Sequence, residues 1–107
     1  MTGREPLRLT RADRDALAEF ARAYLHEDTI AEHGSAQGAA AAFAADASAD
    51  DRQHVARALE ALIRAAEGRP LASLHRFLVR DIRCAWLPGS VDELTSVSRV
   101  IRGVPRT

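Results

Sequence analysis

Residues 48–68 read SADDRQHVARALEALIRAAEG, and this stretch decides the fold. Ser48, followed three positions later by Asp51, is a capping-box variant that offers oxygen acceptors to the unpaired N–H groups of a first helical turn. Behind it Val55, Ala58, Leu59, Leu62, Ile63 and Ala66 recur at helical spacing, with Arg57, Glu60 and Arg64 opposite. Gly68 supplies the left-handed residue that stops a helix. The stretch predicts an amphipathic helix over 49–67. Such a helix must bury its one apolar face against other elements.

The flanking sequence supplies them. Thr10 and Asp13 form another box variant, opening a helix over 11–28 whose stripe is Leu17, Phe20, Ala21, Tyr24 and Asp28. Asp28 is the exception, because a buried unpaired carboxylate is too costly to persist. Either the helix ends there and Asp28 caps a turn beginning at Thr29, or an arginine from another helix meets it. After a turn or short irregular helix over 29–35, Ser35 caps a helix running through the alanine run 39–42 and Phe43 to 47, its first turn weakened by Gly38. Pro70 opens a fourth helix with Leu71, Leu74, His75, Leu78 and Ile82 inward, ending near Cys84. Leu87-Pro88-Gly89 is a turn. Ser90 and Glu93 make a full capping box for a last helix over 91–102, with Leu94, Val97 and Ile101 inward and Gly103 and Pro105 at its end. The expectation is one all-α domain spanning 1–107, a compact irregular bundle of four to five short amphipathic helices, with a lead-in at 1–9 and a tail at 103–107.

Composition agrees. A chain of 107 residues and 11.6 kDa is one domain. It buries roughly two thirds of its extended surface. Apolar residues make up 47% of the chain, and 22 of the 50 are alanine, the best helix former and one that lets helices approach closely. Fifteen arginines, with no lysine, balance fifteen carboxylates, whereas a nucleic-acid binder carries a basic surplus. No apolar run reaches membrane-spanning length and residues 1–6 hold no signal-peptide core, so a soluble, cytoplasmic protein is expected. The single cysteine closes no internal disulfide.

Residues able to do chemistry are scattered. Cys84 has no accompanying Cys/His signature and reads as a buried small hydrophobe. Phosphate-loop, dinucleotide, zinc-protease and nucleophile-elbow motifs are all missing from the sequence. His26 and His33 stand two helical turns apart, roughly 10 Å of rise, too far to share a metal unless the chain turns at Gly34. His54 and His75 are isolated, and His75 on an apolar face reads as a hydrogen-bonded residue at the core's edge. Trp86 reads as a core anchor closing one end of the bundle. No enzymatic role, cofactor or metal is expected.

Charge, in contrast, is unevenly distributed. Residues 23–51 hold six carboxylates (Glu27, Asp28, Glu32, Asp46, Asp50 and Asp51) and no arginine, leaving nine acidic against fifteen basic groups elsewhere. Helix N-termini favour carboxylates, which accounts for Asp50 and Asp51. An acidic docking face for a basic partner accounts for all six. Arg76, Arg80 and Arg83 form a polar stripe on the fourth helix, as a solvated surface or a DNA contact would require.

The segment Tyr24-Leu25-His26-Glu27-Asp28, ending an aromatic-bearing first helix and followed by a loop to Gly34-Ser35 and an Ala-rich helix, resembles the small all-α immunity proteins of contact-dependent growth inhibition systems. The matching pattern is an aromatic, an apolar residue, His, a polar residue and Asp. The resemblance spans about residues 17–95, and Thr29 and the position of Trp86 depart from the family pattern. It implies a non-catalytic protein that holds the C-terminal domain of a cognate toxin, often a nuclease, and blocks its active site or substrate surface, contacting neither nucleic acid nor membrane itself. The uneven charge then points to Glu27, Asp28, Glu32, Asp46, Asp50 and Asp51 as the acidic contributors at the toxin, with His26, exposed opposite the core stripe, as a hydrogen-bonding contact. The other class compatible with the sequence is a helical adaptor or regulator that binds a protein without neutralising a toxin.

Overall fold

The computed structural model describes residues 7–103. Among them lie six α-helices and no strand: α1 (Arg11–Tyr24), α2 (Glu27–His33), α3 (Ala36–Asp46), α4 (Ala49–Ala66), α5 (Leu71–Phe77) and α6 (Val91–Arg102), with a π-helical turn (Leu78–Ile82) continuing α5. The fold is all-α, and the sixth helix, α2, falls where the sequence allows a turn or a short irregular helix over 29–35, starting two residues earlier. Three of the capping signals act as read. Thr10, Ser35 and Ser48 accept from the N–H groups of Asp13, Gly38 and Asp51 at 3.1, 3.0 and 3.1 Å. The fourth is only half made. Ser90 caps nothing through its side chain, whereas Glu93 reaches back to accept from the Gly89 N–H at 3.0 Å.

α2 comes from the break after Tyr24. Leu25 turns inward and is buried, and His26 becomes the N-cap of α2. Its ring lies against Thr29, whose hydroxyl is 2.6 Å from Nε2 and whose N–H points to Nδ1 at 3.4 Å. The expected continuous helix over 11–28 is therefore two helices, and the cap is His26 rather than Asp28. Asp28 sits exposed in the first turn of α2, where the helix dipole favours a carboxylate and no arginine is needed.

α4 occupies the centre, packing along α1 and α6, while α3 lies on α6 and α2 folds back on α3. Leu59, Leu62, Leu74, Leu94, Val97 and Ile101 are fully enclosed at this hub. Each such side chain contributes about 1.5–3 kcal/mol on leaving water. The inward faces expected of α4 and α6 are those observed, with Ile63 at the margin. Of the positions expected inward on the fourth helix, Leu74, Leu78 and Ile82 are buried and Leu71 and His75 half-buried, while Ser73 and Phe77 are buried in addition. Leu7, within the expected lead-in, is also buried, so that segment contributes to the core. Residues 1–6 and the tail with Pro105 lie outside the described residues.

Two polar links flank the apolar seam between α4 and α6. Arg52 Nε donates to the Ile101 carbonyl at 3.2 Å, satisfying one of the unpaired carbonyls at the end of α6. Arg102 grips the Glu60 carboxylate with two bonds, 2.6 and 2.9 Å. That bidentate bond holds Glu60 below the usual glutamate range, desolvation opposing it and the arginine's charge adding to it.

The π-helical turn changes the register of the arginine stripe. Arg76, Arg80 and Arg83 are all exposed, but Arg83 follows the turn in a left-handed conformation (φ 61°), off the line of the other two. The straight stripe expected from the spacing does not form.

Candidate functional site

α1 and α4 diverge enough to leave a cleft of about 170 Å³ between them. Its floor is an aromatic trio built from two helices. Phe20 and Tyr24 are one turn apart on α1, their rings stacked at 6.1 Å. Phe43 of α3 meets them edge-on at 5.0 and 5.4 Å. Phe20 and Phe43 are buried, and Tyr24, at the last position of α1, is half-exposed. Edge-to-face packing of this kind adds about 0.5–1.5 kcal/mol per pair beyond area burial.

Polar groups stand on both walls. Glu19 lines the α1 side, and Asp51 and His54 line the α4 side, with Ala16, Ala23 and Val55 between them. Asp51 is placed by the first turn of α4, where its N–H is held by Ser48, and its carboxylate remains available. Neither Glu19 nor Asp51 forms an ion pair with a described residue.

Only one of the seven residues expected at a partner lines this cleft, Asp51. Asp50 adjoins it and Asp46 ends α3 across the two-residue connection, so these three form one acidic corner beside the cleft. All three are exposed. Glu27, Asp28 and Glu32 form a second exposed group on α2, a helix with no buried residue. His26 is half-buried, and Thr29 engages its ring. It is a structural cap, not the freely exposed contact the sequence suggests.

Asp46 differs from the others in one respect. Asp50, Asp51, Glu27 and Asp28 occupy first helical turns, where the macrodipole stabilises them. Asp46 is the last residue of α3, where a negative charge is unfavourable. Helix stability does not explain its presence there.

Comparison with protein-family models, curated proteins and solved structures finds no match.

The remaining reactive groups have structural partners. His75 Nε2 lies 2.6 Å from the Pro88 carbonyl, pinning the 87–89 turn to α5 as its core-edge position suggested. Cys84 is buried, burial pushes its thiol pKa up, and its Sγ donates to the Trp86 carbonyl at 3.1 Å. A protonated, enclosed thiol is a poor nucleophile. Trp86 packs half-buried against the core. Among the described residues no group of three or more His, Cys, Asp or Glu is gathered to hold a metal ion, and no helix is long and apolar enough to cross a membrane.

The residues that sequence reasoning missed are Glu19 and His54, together with the second role of Phe20, Tyr24 and Phe43 as a cleft floor. The signal was present in part. Phe20 and Tyr24 share a face with Ala16, and Asp51 shares one with His54 and Val55, so two helical faces each carry polar groups beside apolar ones. Which two faces meet is settled by tertiary packing and not by either helix alone.

Proposed function

We propose that this protein binds a basic protein partner and neutralises it by obstruction, as an immunity protein of a contact-dependent growth inhibition system does to its toxin domain. The observation that carries the reading is the aromatic-floored cleft with a carboxylate on each wall that forms no ion pair with a described residue, continued along the α3–α4 corner by Asp46 and Asp50. Its volume of about 170 Å³ is close to a benzene-sized cavity, about 150 Å³, and well below the roughly 300–1,000 Å³ of a small-molecule pocket. A space of that size takes one anchoring side chain, as the centre of a protein interface does. The acidic surround speeds encounter with a positively charged surface and fixes register. A nuclease domain, which must attract phosphate, carries such a surface. The resemblance of Tyr24-Leu25-His26-Glu27-Asp28 to the immunity family supports the same reading, with His26 building the fold and the exposed Glu27 and Asp28 facing the partner side.

The test is co-expression with the C-terminal domain of the protein encoded by the neighbouring gene, scoring survival and complex formation by size exclusion. Survival that depends on this chain, with a stable complex, is expected. Equal killing with and without it refutes neutralisation. A stable complex without protection identifies an adaptor or regulator instead.

A further inference from the structure

The cleft between α1 and α4 combines two chemistries that select its occupant. The floor offers the half-exposed ring of Tyr24, backed by the buried rings of Phe20 and Phe43. The walls offer Glu19 from one helix and Asp51 from the other, with His54 completing the α4 side. No described cation neutralises either carboxylate. An anion is repelled from such a site. An aliphatic side chain fills the floor but strips water from two charges and returns no hydrogen bond, which is unfavourable. A lysine brings charge, but as a compact, strongly hydrated ammonium that stacks poorly on a ring. A guanidinium is flat, weakly hydrated, stacks on aromatic faces and directs several N–H donors outward from its edge. Arginine matches floor and walls at once.

We infer that this cleft seats one arginine side chain of the protein partner, its guanidinium against the Tyr24 ring and its N–H groups donating to Glu19 and Asp51. The inference rests on the reading of the chain as a protein binder and adds what its cleft recognises. Space of about 170 Å³ suits a planar head and part of its stem, with no room for a second residue. The nearby exposed carboxylates Asp46 and Asp50 extend the favourable potential toward other basic groups around the anchor.

The test uses the full chain without a partner. Backbone and ring NMR signals are followed while N-acetyl-arginine methylamide is added at constant ionic strength, in parallel with the lysine and citrulline analogues. Citrulline has the same shape as arginine without its charge. Saturable shifts confined to Glu19, Tyr24, Phe43, Asp51 and His54 are expected with arginine. The dissociation constant should be about 10 mM, the scale of one exposed cation–π contact plus charge-assisted hydrogen bonds. Lysine should bind at least threefold more weakly and citrulline not at all. Glu19→Gln and Asp51→Asn, both at exposed positions, should each weaken arginine binding threefold or more while circular dichroism stays unchanged. Non-saturating shifts, shifts away from the cleft, or equal response to citrulline overturn the assignment. So does affinity tighter than about 0.1 mM, which would make the cleft a small-molecule site. Because no partner is present, a flat titration with intact protection removes the arginine seat alone. A saturable titration without protection removes neutralisation alone.

Discussion

Gly38→Ala tests the packing of α2 against α3. A Cβ built on Gly38 would collide with the His33 carbonyl oxygen and lie 3.2 Å from the His33 carbonyl carbon and 3.3 Å from its Cβ. Two of those atoms are backbone at the end of α2, so no rotamer change relieves the contact. On propensity alone, alanine inside a helix is worth about 0.8–1 kcal/mol over glycine. Forcing an extra carbon into a packed contact costs about 1–3 kcal/mol. The balance is a net loss of about 1 kcal/mol, or roughly 4–8 °C in Tm for a chain of this size. Urea unfolding followed by circular dichroism measures it. Gly89→Ala is the control, because its Cβ would meet only the far end of the flexible Glu93 side chain, at 3.3 Å. That variant should be neutral or stabilised by about 0.4–1 kcal/mol. A Gly38→Ala protein stabilised by about 1 kcal/mol would refute the close approach and the hairpin built on it.

Other outcomes follow from the same geometry. Arg83→Gly should stabilise the protein by about 1 kcal/mol in thermal unfolding, since the left-handed conformation at φ 61° penalises a side chain and suits glycine. Asp46→Lys should raise stability by about 0.5 kcal/mol by relieving the C-terminus of α3, whereas Asp50→Lys should lower it by a similar amount. Either reversal should slow association with a basic partner and flatten its salt dependence in stopped-flow measurements, and unchanged rates would place the interface elsewhere. Glu60 is held below its ordinary range by Arg102, so its contribution is present above the pKa of an unfolded glutamate and is lost as pH falls through the lower folded value. Tm should accordingly fall more steeply between about pH 5 and 3 for the natural protein than for Glu60→Gln, and parallel curves would deny the pair any role in solution.

How much of this was legible in the sequence depended on whether the deciding interaction was local. Thr10, Ser35 and Ser48 each bond to an N–H three residues away, and all three were readable. The inward faces of α4 and α6 were readable for the same reason, since periodicity records which side leaves water. The break after Tyr24 was half legible: Asp28 signalled that the stripe could not continue, but not that a histidine would cap the next helix. Gly38 was read as a weak point in a first turn, whereas its absent side chain makes room for the end of α2. Glu60 looked like a solvated residue until Arg102, 42 positions away, proved to hold it. The cleft was the least legible feature because α1, α3 and α4 each contribute part of it.

The seven residues of α2 leave the interior untouched. Replacing its solvent-facing residues withdraws nothing from the apolar hub, so its chemistry can be exchanged nearly independently of folding. The bundle thus behaves as a chassis with an interchangeable fitting, whose surface chemistry can change without rebuilding the frame.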